Sequence, residues 1–172
     1  TDMGRIEELF EGAFMARAIE PAGEDSVYVL IDGGPASQVG TVNADGAELA
    51  AQTAVRHGVK RFVCVSSTSV YGRGAKMVTE DAAKSPVHDY DRSKWAGEER
   101  SVAACTEGGI SWSVVRPTLI YGPGSRYGLA TWLSILTLRH HLGLRSVPMA
   151  TGGPMGHHVH VEDVARAGVL LA

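Results

Sequence analysis

The chain has 172 residues, 44% of them hydrophobic, and a formal net charge of -3 at pH 7. This length is enough for one buried core, and the lack of a basic excess argues against nucleic acid as a partner. The two cysteines, Cys64 and Cys105, are too few and too separate for a disulfide framework or a metal knuckle, so a reducing cytoplasm is the expected compartment. No apolar run approaches the roughly 18 residues of a membrane span, so no membrane partner is expected.

Apolar periodicity and stop signals predict six alternating elements before Pro117. In chain order they are a helix over 7–18, a strand over 27–31, an alanine-rich helix over 41–57 closed by Gly58, a strand over 61–66, a helix from about 89 to 105 closed by Gly108 and Gly109, and a strand over 111–116. Strands that alternate with helices in this way are typical of an α/β protein with a parallel sheet.

The pattern is looser after Pro117. It predicts a Gly/Pro turn, an amphipathic helix near 129–141, a strand over 158–161 and a final helix over 163–172. His157, His158 and His160 cluster at that strand, but without nearby cysteines or a pair of carboxylates they fall short of a closed zinc site. No metal is therefore expected.

Hydroxyl side chains lie at the end of the predicted strand over 61–66. They belong to Ser66, Ser67, Thr68 and Ser69. In open α/β sheets, ligands bind just outside the carboxyl ends of the strands. These hydroxyls are therefore candidate substrate contacts, and Ser67 is the one we favour.

Tyr90 and Lys94 are four residues apart in a predicted helix, a spacing that places two side chains on one helix face. An ammonium group close to a phenol favours the phenolate by charge attraction, which suits proton exchange near neutral pH. The pair is thus a candidate acid/base site. A half-buried tyrosine beside a solvated lysine is the alternative interpretation.

Four segments follow one another in the chain: 58–72 (GVKRFVCVSSTSVYG), 90–94 (YDRSK), 115–124 (VRPTLIYGPG) and 160–165 (HVEDVA). In this order they resemble the extended short-chain dehydrogenase/reductase superfamily, in particular its NAD-dependent epimerase/dehydratase branch, from about Asp25 to the end of the chain. The resemblance implies a doubly wound, Rossmann-like parallel sheet, only part of which is present. It also implies that 1–120 are the C-terminal portion of a dinucleotide-binding domain and that 121–172 begin a substrate-binding lobe interleaved with the sheet.

The resemblance further implies a mechanism. Tyr90 would exchange a proton with a substrate hydroxyl or carbonyl, Ser67 would hydrogen-bond the same oxygen, and Lys94 would support Tyr90 and contact the nicotinamide ribose. Hydride would pass to or from NAD or NADP. The implied substrate is a sugar, often nucleotide-linked, that is epimerised, dehydrated or reduced, although neighbouring branches act on steroids and small aldehydes.

Further site residues follow from the same resemblance. The implied cofactor contacts besides Tyr90 and Lys94 are Asp2, Gly33, Gly34 and Pro117, the implied substrate contacts are Ser67, Thr68, Ser69 and Arg126 with Tyr127 beside it, and Asn43 is a supporting helix residue. Ile31 and Asp32 replace the small residues of the family, so the loop after them either meets the cofactor or swings away. Two alternatives stay open: Asn43 as an ordinary helix-start residue and Arg126 as a solvated side chain.

No run of glycines in this chain matches the fingerprint that holds a dinucleotide pyrophosphate between a strand and a helix. Because this fingerprint is missing and the first residue is Thr1 rather than methionine, we expect an internal fragment, or an incompletely observed chain, that lacks the first half of the fold. Without the groups that hold the pyrophosphate, these 172 residues alone should bind NAD or NADP no better than millimolar, about -4 kcal/mol. Two other classes stay open, a non-catalytic dinucleotide-binding or scaffolding subunit and a short interaction module. A small-molecule substrate is expected, and a homodimer is left open.

Overall fold

The structure, a computed structural model, describes residues 15–21, 26–32, 40–72, 78–123, 125, 129–144 and 156–172. These residues form helices and strands in the α/β class that the sequence predicts. The chain divides into two compact units, Thr1–Arg116 with Ala167–Ala172, and Pro117–Arg166. The functional division at residue 120 stays a prediction.

Four strands form the described sheet of the first unit, in the spatial order β1-β2-β3-β4: β1 (Met15–Pro21), β2 (Ser26–Asp32), β3 (Arg61–Val65) and β4 (Ser111–Val115). The last three are parallel, with Val27 opposite Phe62 and Phe62 opposite Trp112. The predicted strands of the parallel sheet are therefore confirmed to within one residue at each end.

The first described element differs from the prediction. Met15–Pro21 pairs antiparallel with β2, so residues 15–18 are strand, and their assignment to a helix over 7–18 was wrong. The helix propensity of Met, Ala and Arg is a weak preference, and pairing with β2 overrides it by supplying ladder hydrogen bonds. Pro21 is tolerated because β1 lies at the edge of the described sheet. Residues 7–14 lie outside the described part of the chain.

The alanine-rich segment packs on the sheet. It begins as a π-helical turn (Thr41–Asp45) and continues as α1 (Gly46–Arg56), which confirms the predicted helix over 41–57 apart from the π turn. The chain leaves the helix at Gly58, whose φ of 68° is the left-handed conformation that glycine adopts without strain. Buried alanines of α1 pack against Phe62 of β3. Their short side chains allow the helix to lie close to the sheet.

The next helix, α2 (Asp89–Glu107), extends the predicted helix by two residues at its end. At its start, the Asp91 carboxylate accepts hydrogen bonds from the backbone N–H groups of His88 at 3.0 Å and Val87 at 3.4 Å. Burial raises the pKa of Asp91, but these hydrogen bonds outweigh burial and hold the pKa below its usual value. The carboxylate thus fixes the point at which α2 begins, and this places Tyr90 in its first turn.

The second unit contains two short parallel strands, β5 (Leu119–Tyr121) and β6 (His158–His160), with Tyr121 opposite His160. The helix α3 (Leu129–His141) has the predicted bounds. The helix α4 (Val161–Leu171) follows β6 directly and begins two residues earlier than predicted. Within the described ranges, none of the helices combines the length and the apolar character needed to cross a membrane.

Candidate functional site

The hydroxyl segment after β3 forms a tight turn. Ser67 is extended, and its Oγ accepts a hydrogen bond from the backbone N–H of Ser69 at 3.2 Å, which caps the 3₁₀ turn Thr68–Tyr71. The backbone N–H of Ser85 donates to the carbonyl of Val70 at 2.9 Å and holds the turn from outside. The hydroxyls predicted to contact substrate therefore lie at the carboxyl end of β3.

Lys94 is buried, with 6% of its surface exposed, and its Nζ donates to the carbonyl oxygen of Val65 at 2.8 Å. Val65 is the last residue of β3 and stands two positions before Ser67. Tyr90 lies one helical turn before Lys94 and is 37% exposed. The helix thus brings the lysine to the strand end that presents the hydroxyls. The alternative of a solvated lysine is wrong, while the acid/base role stays a prediction.

Asn43 connects the π turn to the part of α2 that carries Tyr90. Its Nδ2 donates to Ser93 Oγ at 3.0 Å, and Ser93 Oγ donates to the carbonyl of Tyr90 at 2.7 Å. A Cβ built on Gly97 would lie 2.4 Å from the carbonyl oxygen of Asn43, so only glycine permits this approach of the two elements. Asn43 is buried and bonded between helices, and π turns are frequent at functional sites. Its supporting role stays a prediction.

A small cavity of about 10 Å³ is lined in part by Asn43, Val65 and Lys94. This volume is at the lower limit for one water molecule. The buried Oδ1 of Asn43 has no hydrogen-bond partner among the described residues. Because an unsatisfied buried acceptor costs on the order of 1–3 kcal/mol, a hydroxyl or a water at this point would be stabilising. An amide acceptor and an ammonium donor also suit the hydroxyls of a ribose.

The sequence analysis did not predict Glu98 or Arg116 as residues of the candidate site. Glu98 lies one turn after Lys94, lines the same cavity and forms a buried ion pair with Arg116. The available signal is the continued spacing of four residues from Tyr90 through Lys94 to Glu98, which places all three on one helix face. Arg116 gives no local signal, because its contact with Glu98 depends on the folded chain.

Of the remaining predicted site residues, the structure describes only Pro117. Pro117, a predicted cofactor contact, is half-buried and follows Arg116 in the chain. The other predicted contacts lie outside the described residues, and their roles stay predictions: Asp2, Gly33, Gly34, Arg126 and Tyr127.

The two cysteines and His160 pack against other side chains. In the ranges that the structure covers, no three His, Cys, Asp or Glu side chains are grouped so that they could hold a metal ion. The rings of His160 and Tyr121 meet edge-on at 5.2 Å between centroids. Burial raises the pKa of Cys64, and burial raises the pKa of Cys105 to about 11. Both thiols therefore stay protonated near neutral pH and are poor nucleophiles.

Comparison with known proteins gives a family match. Residues 8–172 match the model of the NAD dependent epimerase/dehydratase family. The chain is 34% identical over 100 residues to UDP-glucose 4-epimerase of Vibrio cholerae, an alignment that covers 56% of this chain and 30% of that protein. It spans about a third of the length of the curated relatives that it matches first, 31%, 30% and 34%.

Solved structures show the same fold. MoeE5 in complex with UDP-glucose and NAD has a TM-score of 0.66 and 31% identity, over 86% of this chain and 52% of that chain. UDP-glucose 4-epimerase of Thermotoga maritima with UDP-glucose has a TM-score of 0.70 and 24% identity, over 98% and 55% of the two chains. The Rossmann-like fold class predicted from the sequence is thereby confirmed.

Proposed function

The chain belongs to the NAD dependent epimerase/dehydratase family, and on this basis we propose that the protein containing it oxidises and reduces a hydroxyl carbon of a sugar with NAD or NADP as hydride carrier. One observation supports the proposal most directly. Lys94 is buried against the carbonyl of Val65, beside the Ser67 turn and one helical turn after Tyr90. A buried ammonium at the strand end where ligands bind in this fold class suits a catalytic site better than a purely structural one.

Tyr90 is the proposed acid and base. Its phenol is exposed enough to meet a substrate, and the positive charge of Lys94 one turn away favours the phenolate. In oxidation the phenolate takes the proton of the substrate hydroxyl, and in reduction the phenol returns it to the carbonyl oxygen. Ser67 donates a hydrogen bond to that oxygen as negative charge develops on it. The hydroxyl of Ser67 already accepts from the N–H of Ser69, which directs its own hydrogen elsewhere.

The nicotinamide group supplies or accepts the hydride when the cofactor is bound. Among the described residues of the first unit, we assign Lys94 and Tyr90 to the ribose next to the nicotinamide. The cofactor contact of Pro117 stays a prediction. The buried amide of Asn43 holds the helix turn of Tyr90 through Ser93. The chain's own contribution is thus to place a phenol and a hydroxyl on one substrate oxygen.

A nucleotide-linked sugar is the substrate class we propose. The Vibrio cholerae relative is a UDP-glucose 4-epimerase, and MoeE5 was solved with UDP-glucose and NAD. Oxidation of the substrate hydroxyl would give a ketone, and return of the same hydride to its other face would give the epimer. Such a cycle is redox-neutral and consumes no second substrate.

The test is to incubate the full-length protein with NAD and UDP-glucose and to follow the 4-epimer by proton NMR. Turnover that is lost in Tyr90→Phe and kept in Asp89→Asn, a change of an exposed neighbour in the same helical turn, would support the proposal. Absence of product and of reduced cofactor with UDP-glucose, UDP-N-acetylglucosamine and UDP-glucuronic acid would refute it. That result would favour the non-catalytic subunit.

A further inference from the structure

Arg116 contacts two different elements with one side chain. Its Nε donates to Glu98 Oε2 at 2.9 Å, its Nη2 donates to Glu98 Oε1, and its Nη1 donates to the hydroxyl of Tyr71 at 2.7 Å. The side chains of Arg116 and Glu98 are 17% and 5% exposed. Two nitrogens of the guanidinium therefore bind the two oxygens of the Glu98 carboxylate, and the third nitrogen binds the hydroxyl of Tyr71. The arginine and the glutamate are largely shielded from water.

The two contacts lead to the two halves of the proposed site. Glu98 lies one turn after Lys94 on α2, the helix that carries Tyr90. Tyr71 is the last residue of the 3₁₀ turn that begins after Ser67. Arg116 follows β4, which is a separate element from both α2 and the 3₁₀ turn. Its side chain thus links α2, which carries Tyr90, to the turn that follows Ser67.

Tyr71 is held on more than one side. Its hydroxyl donates to the carbonyl of Glu80 at 3.2 Å, while it accepts from Arg116. The centroid of its ring lies 5.3 Å from the guanidinium carbon of Arg116 and 5.0 Å from Nζ of Lys84. A ring fixed between two cations and two hydrogen-bond partners has little freedom, so the turn that ends at Tyr71 is fixed with it.

A lysine could not replace this arginine. The planar guanidinium fork reaches both oxygens of Glu98 and still directs a further N–H at Tyr71, whereas an ammonium is a single point. An apolar pair of similar volume would also pack α2 against β4, so packing alone does not account for a buried ion pair here. The contact with Tyr71 is what an apolar pair would lack.

We propose that Arg116 is a positioning residue that sets the distance between the Ser67 hydroxyl and the Tyr90–Lys94 pair by holding Tyr71 to Glu98. The inference rests on the proposed function, since it concerns the geometry of the same site. In this proposal, Arg116 and Tyr71 touch neither substrate nor cofactor. They act by positioning Ser67 relative to Tyr90 and Lys94.

Tyr71→Phe is the sharpest test, because it removes one hydroxyl and keeps the ring between its two cations. We expect kcat to fall about tenfold, the equivalent of one hydrogen bond, with KM for NAD and sugar within about twofold of wild type. Amide hydrogen exchange at Val70 and Gly72, whose N–H groups bond within the turn, should become faster, while urea denaturation should show the variant fully folded under assay conditions.

Arg116→Lys is the second variant and should lower kcat at least as much. Its matched control is Arg100→Lys, on the helix that carries Glu98. There the arginine pairs with Asp45 and Glu48 at the surface, so the variant should keep wild-type kcat and exchange. The proposal is overturned if Tyr71→Phe and Arg116→Lys keep wild-type kcat and turn exchange. It is also overturned if they lower only the folded fraction, because Arg116 would then be structural.

The failure of the proposed function would look different. If wild-type protein turns over no sugar nucleotide, the exchange experiment still decides whether Arg116 holds the turn. Faster exchange at Val70 and Gly72 in both variants, but not in Arg100→Lys, would support the positioning contact on its own. Unchanged exchange would overturn it.

Discussion

The helix α2 carries arginine–carboxylate pairs in two different surroundings. Arg100 pairs with Asp45 at the surface, and the two side chains are 47% and 58% exposed. Glu98 pairs with Arg116 in the interior, where the two side chains are 5% and 17% exposed. A surface pair is worth about 0–1 kcal/mol, whereas loss of one partner from a buried pair costs about 3–5 kcal/mol. An arginine–carboxylate pair on this helix therefore contributes little to the free energy of unfolding at the surface, as with Arg100. In the interior, as with Glu98 and Arg116, it fixes the geometry of the elements that it joins.

The largest effect is expected at Tyr90, one helical turn before the buried Lys94 on the helix face that also carries Glu98. Tyr90→Phe removes the oxygen that carries the proton, so turnover should be abolished while NAD binding, measured by calorimetry, is retained. Arg92→Lys, at the exposed neighbouring pair with Asp89, should keep wild-type turnover. A Tyr90→Phe protein that turns over normally would remove the acid/base assignment.

The second effect concerns stability and tests the comparison itself. Glu98→Ala leaves the guanidinium of Arg116 without its carboxylate, so the free energy of unfolding should fall by about 3–5 kcal/mol. Arg100→Ala should lower it by about 1 kcal/mol at most. Urea denaturation measures both. Equal losses in the two variants would show that burial does not distinguish the pairs.

The third effect distinguishes the two ends of the parallel sheet. Ser67→Ala, at the carboxyl end of β3, removes a donor to the developing negative charge, and kcat should fall on the order of a hundredfold. Ser111→Ala, at the exposed amino end of β4, should leave kcat unchanged. Steady-state kinetics of both variants provide the check, and equal values would mean that the strand ends are not functionally different.

The smallest effect is expected at Asp91, at the buried start of α2. Its pKa in the folded chain lies below the ordinary value of 3.8, so the carboxylate adds stability above that pH, and the gain is lost as the pH falls through the folded pKa. Asp91→Asn should lower the free energy of unfolding at pH 7 by about 0.5–2 kcal/mol and flatten its decrease below pH 4.

The control for this variant is Asp89→Asn, two residues earlier and almost fully exposed. It should change the free energy of unfolding by no more than about 0.5 kcal/mol. Urea denaturation at several pH values between 3 and 7 compares the two variants. An unchanged pH dependence in Asp91→Asn would contradict the role given to the carboxylate at the helix start.

Local patterns were sufficient for much of the fold. The strand Arg61–Val65 and the helices Asp89–Glu107 and Leu129–His141 were predicted within two residues, because apolar periodicity and stop glycines act over a few neighbouring positions. The place of Ser67 just after a strand end was predicted for the same reason, since a strand followed by hydroxyls is a local signal, whereas the 3₁₀ turn Thr68–Tyr71 was not predicted. The burial of Lys94 could not be read locally, and the sequence left it open.

Long-range pairing accounts for what was missed. Residues 15–18 have helix-forming side chains, and only the contact with β2 makes them a strand. Tyr71, Glu98 and Arg116 come from three separate parts of the chain, so no window of sequence shows their contact. Predictions on Asp2, Gly33, Gly34 and Arg126 fall outside the described residues and remain predictions.

The contact between Gly97 and Asn43 has a consequence for how the site would respond to mutation. Gly97 has no functional group, yet any larger residue there would force α2 away from the π turn and disturb the bond from Asn43 to Ser93. A saturation screen scored by activity would therefore group this glycine with the chemically active positions. Loss of activity on substitution would then identify positions where two backbone segments approach closely, such as Gly97 and Asn43, as well as positions with catalytic side chains.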